Sequence, residues 1–437
     1  MNEPLAPYTP TAADPFDLAK VGHLLRRAGY GASLPQRRAL QRAGLAAAVA
    51  HVAPLAPPRP DDATLQATIA FGDIDRVRAY RVWLALQHEA PLQQRLAILW
   101  HGHFATGNQK VADPRAMALQ MATFDRLGSA RFDDLLAAMC RDPALLRWLD
   151  NDVNGKGQPN ENFARELFEL FTLGRGHYTE ADVREAARCF TGWHVHDGRF
   201  HFHPHRHDDG EKQLFGRRGA LGGDDVVAAV VARRESAEFL AQKWLRWFVH
   251  PEPEAAEITA LADCYQRNEH DVGATLRTLL QSRLFFSPRA YRSKVKSPAE
   301  FVLGTVRCLG ARAAPTALAT TMATLGERWL EPPSVEGWHG ERAWLSPAAW
   351  LLRSNFVADL LAGRTAALAP DPTALFEGLR KPAELAKAIA LVWLDGAVAA
   401  ADLARLADVV AGRGSDRTAA IHDGLHAAAC LPEYQLL

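Results

Sequence analysis

Cysteine is scarce. The 437 residues hold 5 of them: Cys140, Cys189, Cys264, Cys308 and Cys430, widely spread, with no C-x-x-C pair and no metal-ligand spacing. So sparse and odd a set argues against a disulfide framework and predicts buried thiols. An excess of either charge is also missing, since 50 basic residues balance 50 acidic ones. Nothing therefore pulls the whole chain towards nucleic acid or an anionic membrane. No segment offers the ~18 uncharged apolar residues of a spanning helix. The opening MNEPLAPYTPTAADPFDLAK has neither the basic nor the apolar region of an export signal. The expectation is a cytoplasmic protein with no transmembrane segment. Absent too are G-x-G-x-x-G after a strand, G-x-x-x-x-G-K-[ST], G-x-S-x-G, H-E-x-x-H, C-x-x-C-H and an EF-hand loop, which removes the standard nucleotide, serine-hydrolase, zincin, haem and calcium readings.

What is present is an ordinary globular composition, 48% hydrophobic and 23% charged, with helical periodicity along most of its length. The first ~17 residues, rich in Pro, Thr and Ala, read as a flexible arm. Helical pattern begins with LAKVGHLLRRAGYG and resumes in LPQRRALQRAGLAAAVAHV, ahead of a Pro-rich linker from Pro54 to Pro60. The run from Asp61 to Gly107 reads as two helices broken near Pro91. Asp113-Pro114, Asp142-Pro143, Ser297-Pro298 and Ser346-Pro347 each pair a capping residue with proline at the first helical position, and so place four more helix starts. Ser297 with Glu300 is also a capping box, better explained as structure than as nucleophile and base. After Trp193 the period switches to two. In WHVHDGRFHFH, Asp197-Gly198 marks a hairpin that sets Trp193 and Val195 against Phe202 and Phe200, with His194, His196, Arg199, His201 and His203 on the other face. The fold class is thus all-α, a single bundle-like unit with one small β-hairpin around residues 193–203. We assign an arm at 1–17, a main domain at 18–365 and a helical C-terminal segment at 366–437 packed on it, with a loop near Pro370 to Pro372.

Chemistry concentrates in four places. Between Asn160 and Trp193 two helices are expected. Phe163, Leu167, Leu170 and Phe171 form the buried stripe of the first; Asn162, Glu166 and Glu169 flank it, and Glu161 and Arg165 lie further round. A ladder of Glu161, Arg165 and Glu169 explains most of these charges. Glu166 fits it least, because a carboxylate bordering a core must find a cation or have its pKa raised. In the helix from Leu92 to Phe104, His103 continues the apolar line of Leu92, Leu96 and Leu99, while His101 points the opposite way. His103 is either a core histidine bonded to a carbonyl or an acid/base or ligand group. Past the hairpin, His207, Asp208, Asp209, Gly210 and Lys212 put imidazole, carboxylate and ammonium in one loop, suited to metal ligation, proton transfer or holding an anion. The alternative there is an Asx turn with a surface ion pair. Finally, EPPSVEGWHGERAW, with Trp338, His339 and Trp344, reads as an ordered functional loop.

The stretch NENFARELFEL, the following TLG turn, YTEADVREAAR and FTGW resemble the bacterial family of unknown function DUF1800. LLRRAGYG, WHGHFATG, RHDDGEKQLFG, KSPAEFV, PPSVEGW and LPEYQLL extend the likeness over nearly the whole chain. The resemblance implies no settled reaction. It implies an HD-x-G-x-K loop, a frequent sulfatase-like companion protein and, in many members, export. One departure is Leu325-Gly326-Glu327, where the family carries LGQ. Two functions therefore compete. The first is an enzyme for metal- or acid/base-dependent hydrolysis or group transfer. Its catalytic residues would be His103, Glu166, Arg165, Asp208 and Lys212, its substrate wall Asn162, Trp193, Trp338 and Trp344, and any divalent metal would sit on His103, Glu166, His207 and Asp208. The second is a non-catalytic scaffold or partner of the sulfatase-like companion.

Overall fold

Each of the four capping residues followed by proline opens a helix. Asp113 accepts from the Ala116 N–H at 3.0 Å, Asp142 from Leu145 at 2.9 Å, Ser297 from Glu300 at 3.2 Å and Ser346 from Ala349 at 3.0 Å. Capping boxes close reciprocally at Thr179 with Asp182 and at Ser297 with Glu300. Helices Pro298–Leu309 and Pro347–Leu361 begin at the prolines that mark their starts in the sequence. In the computed structural model, which describes residues 3–55, 62–87, 90–338, 340–364 and 372–437, the chain forms 22 α-helices and two two-stranded antiparallel hairpins. It is therefore mainly α with a minor β part. The linker from residue 56 to residue 60, His339 and the start of the loop near Pro370 lie outside the described residues. Among those described, no helix is long and apolar enough to cross a membrane.

The first hairpin has the expected register: in β1 (Trp193–His196) and β2 (Arg199–Phe202), Trp193 faces Phe202 and Val195 faces Phe200. Asp197 and Gly198, at φ 48° and 69°, supply the two left-handed positions its turn demands. A second hairpin, β3 (Lys212–Leu214) with β4 (Arg217–Gly219), was not expected. Its strands are three residues long, and its turn is Phe215-Gly216 rather than an Asn-Gly or Asp-Gly pair, so no period-two pattern accumulates.

Three further expectations need correction. The helix over LPQRRALQRAGLAAAVAHV breaks at Gly44, whose φ of 87° ends Leu34–Ala43 before Leu45–Val52 begins. The run after Asp61 holds three helices, because Gly72 and the capping Asp73 interrupt it ahead of Ile74–Leu86. The N-terminal stretch is not a free arm. Tyr8 N–H donates to Gln281 O and Arg283 N–H to Ala6 O, both at 2.8 Å, and Leu5, Tyr8 and Phe16 are buried in the core. Prolines remove regular helix there without removing the side chains that a core can hold.

The C-terminal helices are held to the beginning of the chain by buried charge. Asp395 pairs with Arg26 at 2.6 Å and with Arg37 at 2.5 Å, and accepts from Tyr291 Oη at 3.1 Å. Tyr434 Oη and Thr305 Oγ1 lie 2.8 Å apart. The departure at Glu327 has a local consequence: its two oxygens accept from Ala299 N–H at 2.8 Å and Trp329 Nε1 at 2.9 Å. It thus helps cap Pro298–Leu309 with two acceptors, where glutamine would present one.

Candidate functional site

Helix Pro91–Phe104 is buried on almost every face, so both its histidines must be satisfied inside the protein. His103 Nδ1 lies 2.7 Å from Lys243 Nζ, and its Nε2 lies 3.1 Å from Phe171 O. A carbonyl can only accept and an ammonium can only donate, so the proton sits on Nε2 and the ring is neutral. Burial, and then the neighbouring Lys243, hold its pKa well below the ordinary imidazole value. His101 does not turn away to solvent: its Nε2 accepts from Leu330 N–H at 2.9 Å and its ring stands edge-on to Trp338, centroids 5.4 Å apart. Burial, then Arg81 and Arg78, bring its pKa down to about 3.

The Phe171 carbonyl is available because the first helix of the stretch from Asn160 to Trp193 changes type. Asn162–Glu166 is α-helical, but Leu167–Thr172 is a π-helix in which Phe168 O accepts from both Leu173 and Gly174 N–H, at 2.8 and 3.0 Å. The wider turn moves Leu170 partly out of the core and buries Phe168 and Thr172 instead. His103 thereby caps a helix end that lacks its own donors.

Lys243 belongs to helix Arg234–Phe248, whose buried stripe includes Leu240, Trp244 and Phe248. It opens into a cavity of about 290 Å³ walled by Trp247, Lys294, Trp338, Glu341 and Trp344. Lys294 Nζ donates to Arg246 O at 2.6 Å and Trp247 O at 2.9 Å, the carbonyls ending that helix. Among the described residues neither ammonium has a carboxylate partner within 4.0 Å. Burial lowers both to about 8; Arg246 is the next cause for Lys243, and for Lys294 Arg27 is next while Glu300 and Glu341 act in the opposite sense. Glu300 also reaches this cavity, but it is committed to Arg95 and to Ser297 N–H. The tryptophan loop is set by backbone contact with the His103 helix: Gly337 has φ 82°, and a Cβ there would lie 2.5 Å from Gly102 O. A larger cavity of about 440 Å³ lies beside Tyr80, Met121 and Asp125. Two of its charged groups, Arg81 and Asp125, neutralise each other at 2.5 Å, and the third, Arg126, is exposed.

Of the residues singled out in the sequence, Trp338 and Trp344 line the cavity and His103 stands directly behind Lys243. Glu166 is near by without lining it. It is half-buried, its carboxylate makes no hydrogen bond or ion pair with a described residue, and its pKa is raised first by burial and then by Glu169. Arg175, bonded to Glu169 at 2.5 Å and 3.7 Å from Glu336, bridges its helix to the tryptophan loop. Arg165 lies in a charge ladder with Glu161 at 3.0 Å, its second partner being Glu180 at 2.7 Å rather than Glu169. Asn162 Nδ2 donates to Leu149 O at 3.2 Å. Trp193 is core, edge-on to Phe190 and Phe200 and under the Arg141 guanidinium.

The His207 loop stands apart from this cavity. Asp208 is bonded to Arg188 at 2.8 Å and to Gly210 N–H at 3.0 Å, an Asx turn with an ion pair. Arg188 first, and the turn after it, pull its pKa down to about 2. Lys212 is no loop cation: it is buried, starts β3, and donates to the carbonyls of Asp208 and Gly210. His207 Nδ1 bonds Thr191 O at 2.8 Å. On the hairpin, His194 is buried against the Asp152 carbonyl, while the His201 and His203 rings meet edge to face with centroids 4.4 Å apart. Among the described residues no three His, Cys, Asp or Glu side chains could hold a metal ion together. His103, Glu166, His207 and Asp208 therefore do not make the ligand set suggested by their types, since His103 faces Lys243 and Asp208 faces Arg188.

Lys243 and Lys294 are the residues that sequence reasoning missed. A signal existed for Lys243, which sits beside the apolar stripe in FLAQKWLRWF; Lys294 offered none beyond lying shortly ahead of a capping box. No curated protein and no solved structure matches the chain. The family model described as "Protein of unknown function (DUF1800)" matches residues 23–436, and the chain belongs to that family.

Proposed function

We propose that this protein is an enzyme of acid/base hydrolysis or group transfer acting on a small anionic substrate, and that the cavity between Lys243 and the tryptophan loop is its site. One observation carries the reading: two ammonium groups, Lys243 and Lys294, reach a tryptophan-walled cavity, neither is ion-paired within 4.0 Å among the described residues, and only Lys294 feels carboxylates, Glu300 and Glu341, at longer range. Burying a cation without a counter-ion is costly, and an anionic ligand removes that cost. Flat indole faces suit a ring or a sugar beside the anionic group. An amine that titrates near 8 can both give and take a proton near neutral pH. Neutral His103, fixed as an acceptor by the Phe171 carbonyl, orients the Lys243 amine. The metal-dependent variant has less support, because it needs ligands that the fold keeps apart.

Tryptophan fluorescence titrated with sulfate, benzoate and glucuronate tests the binding step. A saturable change is expected, lost in Lys243→Met and Lys294→Met and weakened in Trp338→Ala. Chromogenic anionic esters test the chemistry, with turnover expected to survive a chelator and to vanish in Lys243→Met. No saturable response to any of the three anions, or an undiminished one in both lysine variants, defeats the proposal. The second reading, a non-catalytic partner of a sulfatase-like protein, rests on the company the family keeps. Stoichiometric capture of such a companion by variants lacking both lysines would favour it.

A further inference from the structure

The end of helix Arg417–Ala429 carries an imidazole and a thiol four residues apart, a spacing that puts them on one face. Cys430 Sγ lies 3.9 Å from His426 Nε2 and 3.3 Å from Ser354 Oγ, which reaches across from Pro347–Leu361. Ser354 Oγ lies 3.0 Å from the same imidazole nitrogen, and the Ser354 carbonyl 3.2 Å from it. Thiol, imidazole and hydroxyl form a closed triangle on three half-buried residues. None of them belongs to the lysine cavity.

The other four cysteines lack this arrangement. Cys140, Cys189 and Cys264 are buried, and burial pushes Cys140 and Cys189 up to about 12. Cys308 is half-buried like Cys430, but among the described residues it has no hydrogen bond to a histidine. At Cys430 burial works against the thiolate, and bonds from His426 and then Ser354 outweigh it, so the thiol falls below its ordinary value. At His426 the thiol itself is the largest influence, and the Ser354 carbonyl and Asp423 act in the same sense, raising the imidazole. Asp423, which is paired with Arg413, is the charged side chain that bears on His426. The helix C-terminus favours an imidazolium at His426 and disfavours a thiolate at Cys430, so the imidazole is the component that has to charge first.

We propose that Cys430 is a modification site: a thiol that exchanges with low-molecular-weight disulfides of the glutathione class, with His426 holding and delivering the proton. In the step, the Cys430 sulfur attacks one sulfur of the small disulfide and that S–S bond breaks. The departing thiolate takes the proton from His426 Nε2. Cys430 ends oxidised in a mixed disulfide, and the released half of the reagent ends reduced as a thiol. Attack by a second small thiol reverses the exchange.

The full-length chain in native buffer is the material for the test. Brief exposure to glutathione disulfide, followed by intact mass and peptide mapping, should show one adduct, on Cys430. With dithionitrobenzoate, a chromogenic disulfide, one thiol should react about tenfold or more faster than the rest, and Cys430→Ser should delete that phase. His426→Gln should slow it about tenfold near pH 7 and leave it close to the parent rate near pH 9, where the thiol ionises unaided. A purely structural histidine would not produce that pH split. First labelling of Cys308, five equally slow thiols, absence of any glutathione adduct, or a His426→Gln rate unchanged at pH 7 would each overturn the proposal. Because mapping is done on the parent chain, it decides even if a variant fails to fold.

Discussion

Replacing Lys243 with methionine tests whether an ammonium is held there without a counter-ion. Methionine keeps the stem's volume and removes the charge. In the folded chain the amine titrates near 8, against an ordinary value of 10.5, a difference corresponding to about 3 kcal/mol. Lys243 keeps part of its surface towards the cavity, and water there screens the charge, so roughly half, about 1.5 kcal/mol, is the working figure. Methionine also forfeits the hydrogen bond to His103, about 1 kcal/mol, and near pH 7 the two effects almost cancel. The pH dependence does not cancel. Between 8 and 10.5 the unfolded lysine binds more protons than the folded one, so the parent gains stability as pH rises through that window. The variant has no such group. Relative to Lys243→Met, the parent should therefore gain about 1.5 kcal/mol between pH 8 and pH 10.5. Paired urea titrations followed by circular dichroism measure this directly, and the other titrations are common to both chains. A gap that stays constant across the window, or a parent that loses ground as pH rises, would refute the reasoning.

Asp142 gives the same argument with a carboxylate. Burial raises it to about 6 despite bonds from Leu145 N–H and Gln120, so Asp142→Asn, which keeps an oxygen for the cap, should stabilise the chain by about 2 kcal/mol at pH 7. That gain should disappear by about pH 4, where the aspartate is protonated in the fold; melts at the two pH values read it. Asp395→Ala strands Arg26 and Arg37, which it pairs in the interior, and should cost about 3–5 kcal/mol in denaturant melts. Gly337→Ala meets Gly102 O at a left-handed position. It should weaken anion binding in the fluorescence titration while shifting the melting temperature little, because it moves one loop.

The sequence made the helix starts legible because a cap is local: Asp142, Thr179, Ser297 and Ser346 each bond a backbone N–H three residues on. The Asp197-Gly198 hairpin was legible for the same reason. The stripe expected of Phe163, Leu167, Leu170 and Phe171 loses register after Glu166, since it presumes ~100° per residue and a π turn takes about one residue more. Nothing local announces that change. The site was half legible: Trp338, Trp344 and His103 bear on one hollow, but Asp208 and Lys212 owe their partners to Arg188 and to the carbonyls of Asp208 and Gly210. Which charges remain unpaired depends on contacts between residues far apart in sequence. His103 and Lys243 are separated by 140 positions, and no spacing rule reaches that far.

His101 carries an implication for how the tryptophan loop behaves in acid. Its Nε2 receives the Leu330 N–H, so a proton on that nitrogen would unfasten the root of the loop. With a pKa near 3, the nitrogen keeps its lone pair throughout the interval in which most histidines change state. The indole side of the hollow thus stays moored while the environment acidifies, and any sensitivity of ligand capture to mild acid has to originate in the ligand or in the other groups around it.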